Sequence, residues 1–208
     1  MHKKSNRSLL EPRKKPVQAR SAATVATIIE AAACILEQKG LADYTTNAIA
    51  NVARVSPGSI YQYFPSRDAI TRALIEREAD LLFDDFGELN AFSSGREGLG
   101  FLISAVVNRR LKRPTLTCLL DIERKRLLAD DVDKRLKAEL VRIFRTCLER
   151  ADLPSTARHP SAAADLIAII SGIVDSAAQR GDANAPLLIS RVRRAIFGYL
   201  QMTCDGFG

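Results

Sequence analysis

TTNAIANVARVSPGSIYQYFPSRDAI, residues 45–70, decides how the rest of the chain is read. Thr45 carries a hydroxyl that can cap free helix amides, and Ile49, Val52 and Ala53 follow at helical spacing, which predicts a short helix burying all three and ending near Arg54. After a turn at Arg54 and Val55, Ser56 is a good N-cap, and Pro57 suits the first helical position, where no amide hydrogen is needed. A helix of about two turns then runs to Phe64, Pro65 interrupts it, and Ser66 caps a longer helix bearing Ile70, Leu74, Leu81 and Leu82. In the two-turn helix Ile60 and Phe64 are four apart and anchor one face. Gly58, Ser59, Tyr61, Gln62 and Tyr63 are left pointing largely outward.

Helical periodicity extends in both directions from this stretch. Upstream, Val25, Ile28, Ile29, Ala32, Ile35 and Leu36 share one face, and Gly40 stands where a left-handed cap belongs. Downstream, further helices are predicted at about 96–112, 115–129, 132–151, 162–180 and 186–204, with no strand pattern and no internal repeat. The expected fold is all-α, about nine helices.

Composition narrows the function. Of 208 residues 47% are hydrophobic, enough for a substantial core, and the formal net charge is +7. Nearly all of that charge sits in residues 1–20, where Lys3, Lys4, Arg7, Arg13, Lys14, Lys15 and Arg20 face only Glu11. With Pro12 and Pro16 opposing a helix, residues 1–21 read as a disordered basic arm, either a solubilising tail or a neutraliser of phosphates. The longest apolar stretch, Leu166 to Val174, is half of a membrane span, and the N-terminus lacks the apolar run of a secretory signal, so a cytoplasmic protein without membrane contact is expected. Cys34, Cys118, Cys147 and Cys204 are far apart and the histidines are only His2 and His159, which argues against a metal site; no cofactor motif is present. No Gly-rich phosphate loop or G-x-S-x-G occurs, so an enzyme is the weakest function class.

Two short helices joined by a three-residue turn form a helix-turn-helix pattern, over residues 45–64. Spacing alone is shared by many helical hairpins, but the outward residues are unusual for bare solvent. Glycine permits close backbone approach, serine and glutamine can bond base edges, and tyrosine hydroxyls can reach phosphates. Residues 22–82, with QARSAATVATIIEAAACILEQKG preceding the motif, resemble the DNA-binding domain of TetR-type transcriptional regulators. The resemblance implies that Thr45, Thr46 and Asn47 reach the DNA backbone or nearby bases. Gly58, Ser59, Tyr61 and Gln62 then read the major groove, and Ser56, Tyr63 and Arg67 hold phosphates. The family usually has glycine in the turn where this chain has Arg54, so either the turn differs or the arginine tolerates a left-handed backbone, at about 1 kcal/mol, and compensates by touching a phosphate.

Residues 83–208 resemble the family in architecture only, as a helical effector-binding and dimerisation domain. Leu166, Ile167, Ile170, Ile173 and Val174 make one apolar stripe, and Leu188, Val192, Ile196, Tyr199 and Leu200 make a second. Paired across a two-fold axis they would form a four-helix interface, where the family dimerises; the bland alternative is that both cover the monomer core. Phe83, Phe86, Phe101 and Phe144 are weaker candidates for an effector pocket, and plain core explains most of them. The expected partners are double-stranded DNA with inverted half-sites, a second copy of the chain, and an unknown small apolar or amphipathic effector that releases a repressor. Control by a protein partner is the alternative.

Overall fold

The structure, a computed structural model, describes residues 19–127 and 131–201. Nine α-helices and no strand occur among them: α1 (Ala19–Lys39), α2 (Thr46–Ala53), α3 (Pro57–Tyr63), α4 (Arg67–Asp84), α5 (Gly95–Lys112), α6 (Pro114–Arg126), α7 (Asp131–Leu148), α8 (Ala162–Gln179) and α9 (Ala185–Gln201). The arm up to residue 18 lies outside the described residues, and Ala19, Arg20 and Ser21 belong to α1 rather than to the arm.

The chain divides into two compact units. The first holds α1, α2, α3, α4 up to Ala79, and the α6 segment from Thr115. Its core is Ile28, Ala32, Ile35 and Leu36 of α1, Ile49 and Ala50 of α2, Ile60 and Phe64 at α3, and Ile70 and Leu74 of α4, all fully or almost fully buried. Gly40 takes φ +72 and its amide closes on Leu36 O at 3.1 Å, the left-handed stop anticipated for the first helix. One expected core residue is misplaced: Val52 is 48% exposed, because α2 is only two turns long and its buried face is filled by Ile49, Ala50 and Ala53. The domain boundary also differs from a simple cut after residue 82, since α6 joins the first unit, with Leu116, Leu120 and Glu123 as its buried face.

The second unit contains α5, α7, α8 and α9, the last turn of α4, and short 3-10 turns at Leu89–Ala91 and Ser155–Arg158. Leu99, Leu102, Ile103 and Val107 of α5 meet Phe144, Cys147 and Leu148 of α7 in one core with the inner faces of α8 and α9. This corrects the expected dimer stripes: Leu166, Ile170, Val174, Leu188, Val192, Ile196 and Leu200 are each 2% exposed or less within the single chain. Ile167 and Ile173 are partly buried against that core, and only Tyr199, 40% exposed, faces out, its hydroxyl donating to Asp165 Oδ2 at 2.7 Å. Both α1 and α8 are long and apolar enough to span a membrane by composition, yet each spends its apolar face on its own unit's core. Burial drives the Cys147 thiol up to about 11, so it packs as a hydrophobe.

The start of α5 is held by a carboxylate from elsewhere in the chain. Asp152 accepts from Ser94 Oγ at 2.8 Å and from the Gly95 and Arg96 amides at 2.8 and 3.1 Å. The Arg96 and Gly95 amides and then the Ser94 hydroxyl hold its pKa down to about 2. A depressed carboxylate contributes stability that is present above its unfolded pKa near 4 and is lost as pH falls through about 2. Asp152→Ala is therefore expected to cost about 1 kcal/mol of stability at neutral pH, the loss of a helix cap, and to lower the melting temperature accordingly. The gap to the native chain should close between about pH 4 and pH 2. Melting curves against pH check this, and a gap independent of pH would contradict it.

Candidate nucleic-acid interface

The site is built from the turn outward. Thr45 accepts the Ala48 amide at 3.2 Å and so starts α2; its side chain is a cap before it is anything else. Arg54 ends α2 at φ 55, ψ 40, with its amide directed to Ala50 O and Asn51 O. The turn is thus left-handed with an arginine rather than a glycine at its centre, at a cost of about 1 kcal/mol. Ser56 opens α3 by accepting the Ser59 amide at 3.0 Å, and the two hydroxyls lie 2.8 Å apart. Pro57 occupies the first turn, as expected.

The helix is oriented by its apolar side. Ile60 and Phe64 are 0% exposed, and burying each contributes about 2 kcal/mol. With that face fixed, Gly58, Tyr61 and Gln62 are exposed and Ser59 and Tyr63 half-buried. Thr46, Asn47, Tyr61, Gln62 and Tyr63 make no side-chain hydrogen bond among the described residues, so their donors and acceptors are uncommitted. A methyl group at Gly58 would meet only Ser56 Oγ at 3.8 Å, an ordinary contact. Nothing inside the unit requires glycine there, and the bare backbone faces outward. Residues 45–67 carry Arg54 and Arg67 and no acid, which leaves the surface weakly positive.

Arg67 sits in company the sequence did not reveal. Its guanidinium lies 5.6 Å from the Tyr44 ring centroid, donates to Tyr44 O at 3.4 Å, and stands 3.7 Å from Asp68 and 3.8 Å from Glu123. Glu123, 3% exposed, is the buried carboxylate of the cluster and also takes Arg126 at 2.7 Å. The hydrogen bonds that Arg126 donates to Glu123 and Asp68 push its pKa above the ordinary arginine range. Below them Tyr44 is fully buried, and burial raises its pKa to about 12. Its hydroxyl lies 3.1 Å from Thr71 Oγ1, whose own hydrogen goes to Arg67 O. A phosphate reaching Arg67 therefore competes with two carboxylates. The signal for Glu123 was available as an acid in register with Leu116 and Leu120 on an otherwise apolar face.

Arg54 gives a direct test of the turn. Arg54→Gly removes the left-handed penalty but loosens the unfolded chain, so a net gain below about 1 kcal/mol is expected. Affinity for every DNA sequence should fall, with a salt slope shallower by about one. Thermal melts and salt titrations check both, and an unchanged slope would confine Arg54 to the turn.

Comparison with known proteins agrees with this geometry. Residues 28–74 match the model of the family described as bacterial regulatory proteins, tetR family. No curated protein matches the chain. Among solved structures, a TetR transcription regulator from Haloarcula marismortui ATCC 43049 is similar at TM-score 0.74 and 16% identity, over 86% of this chain and 97% of that one. The fatty acid degradation regulator FadR from Bacillus halodurans gives TM-score 0.71 at 18% identity, over 91% and 99%. A TetR transcriptional regulator from Rhodococcus sp. RHA1 gives TM-score 0.60 at 23% identity, over 88% and 98%. Within the first unit, residues 28–74 are similar to the TetR-type helix-turn-helix domain, and the described residues share the fold of these TetR-type regulators.

Proposed function

We propose that the chain is a cytoplasmic homodimeric repressor that binds an operator with inverted half-sites and is released by a small apolar or amphipathic effector. The observation carrying the DNA reading is the division of α3: Ile60 and Phe64 are spent on the core, while Gly58, Tyr61 and Gln62 are presented outward with their hydrogen-bonding groups free. In this reading Gln62, Tyr61 and Ser59 address base edges, and Thr46, Asn47, Tyr63 and Arg54 address the backbone. Arg67 exchanges its carboxylates for a phosphate, and the basic arm adds affinity without sequence preference.

A two-turn helix covers too few base pairs to select a site alone, so two copies are required. The inner faces of α8 and α9 are taken by the core, which leaves the outer face of α8 for the partner copy. There Ala164, Ala168 and Gly172 recur every four residues and are exposed, so another helix can approach closely; Tyr199 of α9, hydrogen-bonded to Asp165, lies beside them.

For the effector, the second unit offers an open groove of about 560 Å³ lined by Asp85, Phe101, Ser104, Asn108 and Lys112, within the roughly 300–1,000 Å³ range of small-molecule sites. Its lining suits an amphipathic molecule. Phe86 and Phe144 are core residues at 5% and 1% exposure, and Phe83 packs on Phe86 with ring centroids 6.3 Å apart, so Phe101 is the one member of the expected aromatic set that lines this groove. Footprinting of the purified protein on genomic DNA tests the proposal. Discrete protected inverted repeats are expected, and uniform coverage that fades with salt would contradict it.

A further inference from the structure

Three of the first six residues of α5, GREGLG, are glycines, and each helix-interior glycine costs about 0.5 to 1 kcal/mol relative to alanine. Two of them make room for the end of α7 and the turn after it: a methyl group would come within 2.5 Å of Cys147 O at Gly95 and within 2.9 Å of Cys147 Sγ at Gly98. The third serves a different neighbour. A methyl group at Gly100 would overlap the Arg193 guanidinium, which lies against the bare helix backbone there.

That arginine is not spent on an ion pair. Arg191, two residues earlier on α9, is paired with Asp182 at 3.0 Å, whereas Arg193, Arg194 and Arg96 meet no carboxylate at salt-bridge distance among the described residues. All three line an open groove of about 640 Å³ with Glu97, Phe197, Gly198 and Gln201. Glu97 is the only acid on this lining, so it is outnumbered by arginines. Asp152 reaches the Arg96 amide but is committed to three donors of the α5 cap. Phe197 forms the apolar part, with the Arg96 guanidinium 4.8 Å from its ring centroid.

We propose that this groove between α5 and α9 binds a small aromatic oxyanion. Arg193 and Arg194 take the oxyanion by charge-assisted hydrogen bonds, and its ring lies along Phe197 beside Arg96. Its lining residues are distinct from those of both the α3 surface and the Phe101 groove. Calorimetric titration of the full chain tests it, with phenyl phosphate, inorganic phosphate and phenol as probes. Saturable binding of phenyl phosphate at one site per chain is expected, with inorganic phosphate weaker and phenol not bound. Arg193→Gln and Arg194→Gln are each expected to weaken phenyl phosphate about tenfold while circular dichroism stays unchanged. Phe197→Leu should narrow the preference for phenyl phosphate over inorganic phosphate. No saturation at millimolar phenyl phosphate, or undiminished affinity in both arginine variants, would overturn the proposal. So would variants that shift the sedimentation coefficient and leave phenyl phosphate binding intact, since the groove would then be a contact between copies.

Discussion

Gln62→Ala is expected to abolish discrimination at one base pair of each operator half-site while the protein stays folded and dimeric. A base-edge contact contributes about 1 to 3 kcal/mol, and a two-fold operator counts it twice, so operator affinity should fall by between roughly thirtyfold and roughly twenty-five-thousandfold. Stability should not move, because Gln62 is exposed and its side chain makes no hydrogen bond among the described residues. Tyr63→Phe supplies the contrast. Removing a hydroxyl that meets a phosphate weakens all sequences about equally and leaves the preference intact. Binding of both variants to operators carrying single base changes separates the two roles. A Gln62→Ala protein with native discrimination would mean that α3 meets DNA through other residues.

The second large effect concerns the dimer. Ala168→Lys together with Gly172→Lys places four positive charges across the proposed two-fold contact, at positions open among the described residues: Ala168 is exposed and a methyl group at Gly172 has no neighbour within 4 Å. Lysine also favours helix over glycine by a few tenths of a kcal/mol. The variant should melt as the native chain does, sediment as a monomer, and bind its operator at least about a hundredfold more weakly, because one half-site must suffice. Ile170→Asp and Ile196→Asp should behave differently. These positions are 2% and 0% exposed, so the charge enters a closed core and the second unit unfolds. A folded monomer from the isoleucine pair, or an intact dimer from the lysine pair, would place the interface elsewhere.

That difference shows what the sequence could and could not convey. Helix ends were readable because they are set by local chemistry: the Thr45, Ser56 and Ser66 hydroxyls, Pro57, and Gly40 act within four residues of themselves. The outward residues of α3 followed from two anchors in one short helix. Periodicity reveals that a face is apolar but not what covers it, so Leu166, Ile170, Val174 and their α9 counterparts suited a partner copy as well as the chain's own core. Val52 failed for a related reason, since a two-turn helix has room for only part of its apolar set. Sequence alone does not settle the Arg54 turn, because an arginine at positive φ depends on the geometry around it, nor does it show the Arg67–Glu123 contact, which joins residues far apart in the chain.

Selection of the purified protein against a library of random duplexes tests the central claim most directly. A dimer that reads DNA through α3 is predicted to enrich inverted half-sites whose centres lie about one helical turn, or a multiple, apart, and to lose one position of each half-site in Gln62→Ala. An unenriched library, or an enriched motif without two-fold symmetry, would contradict it.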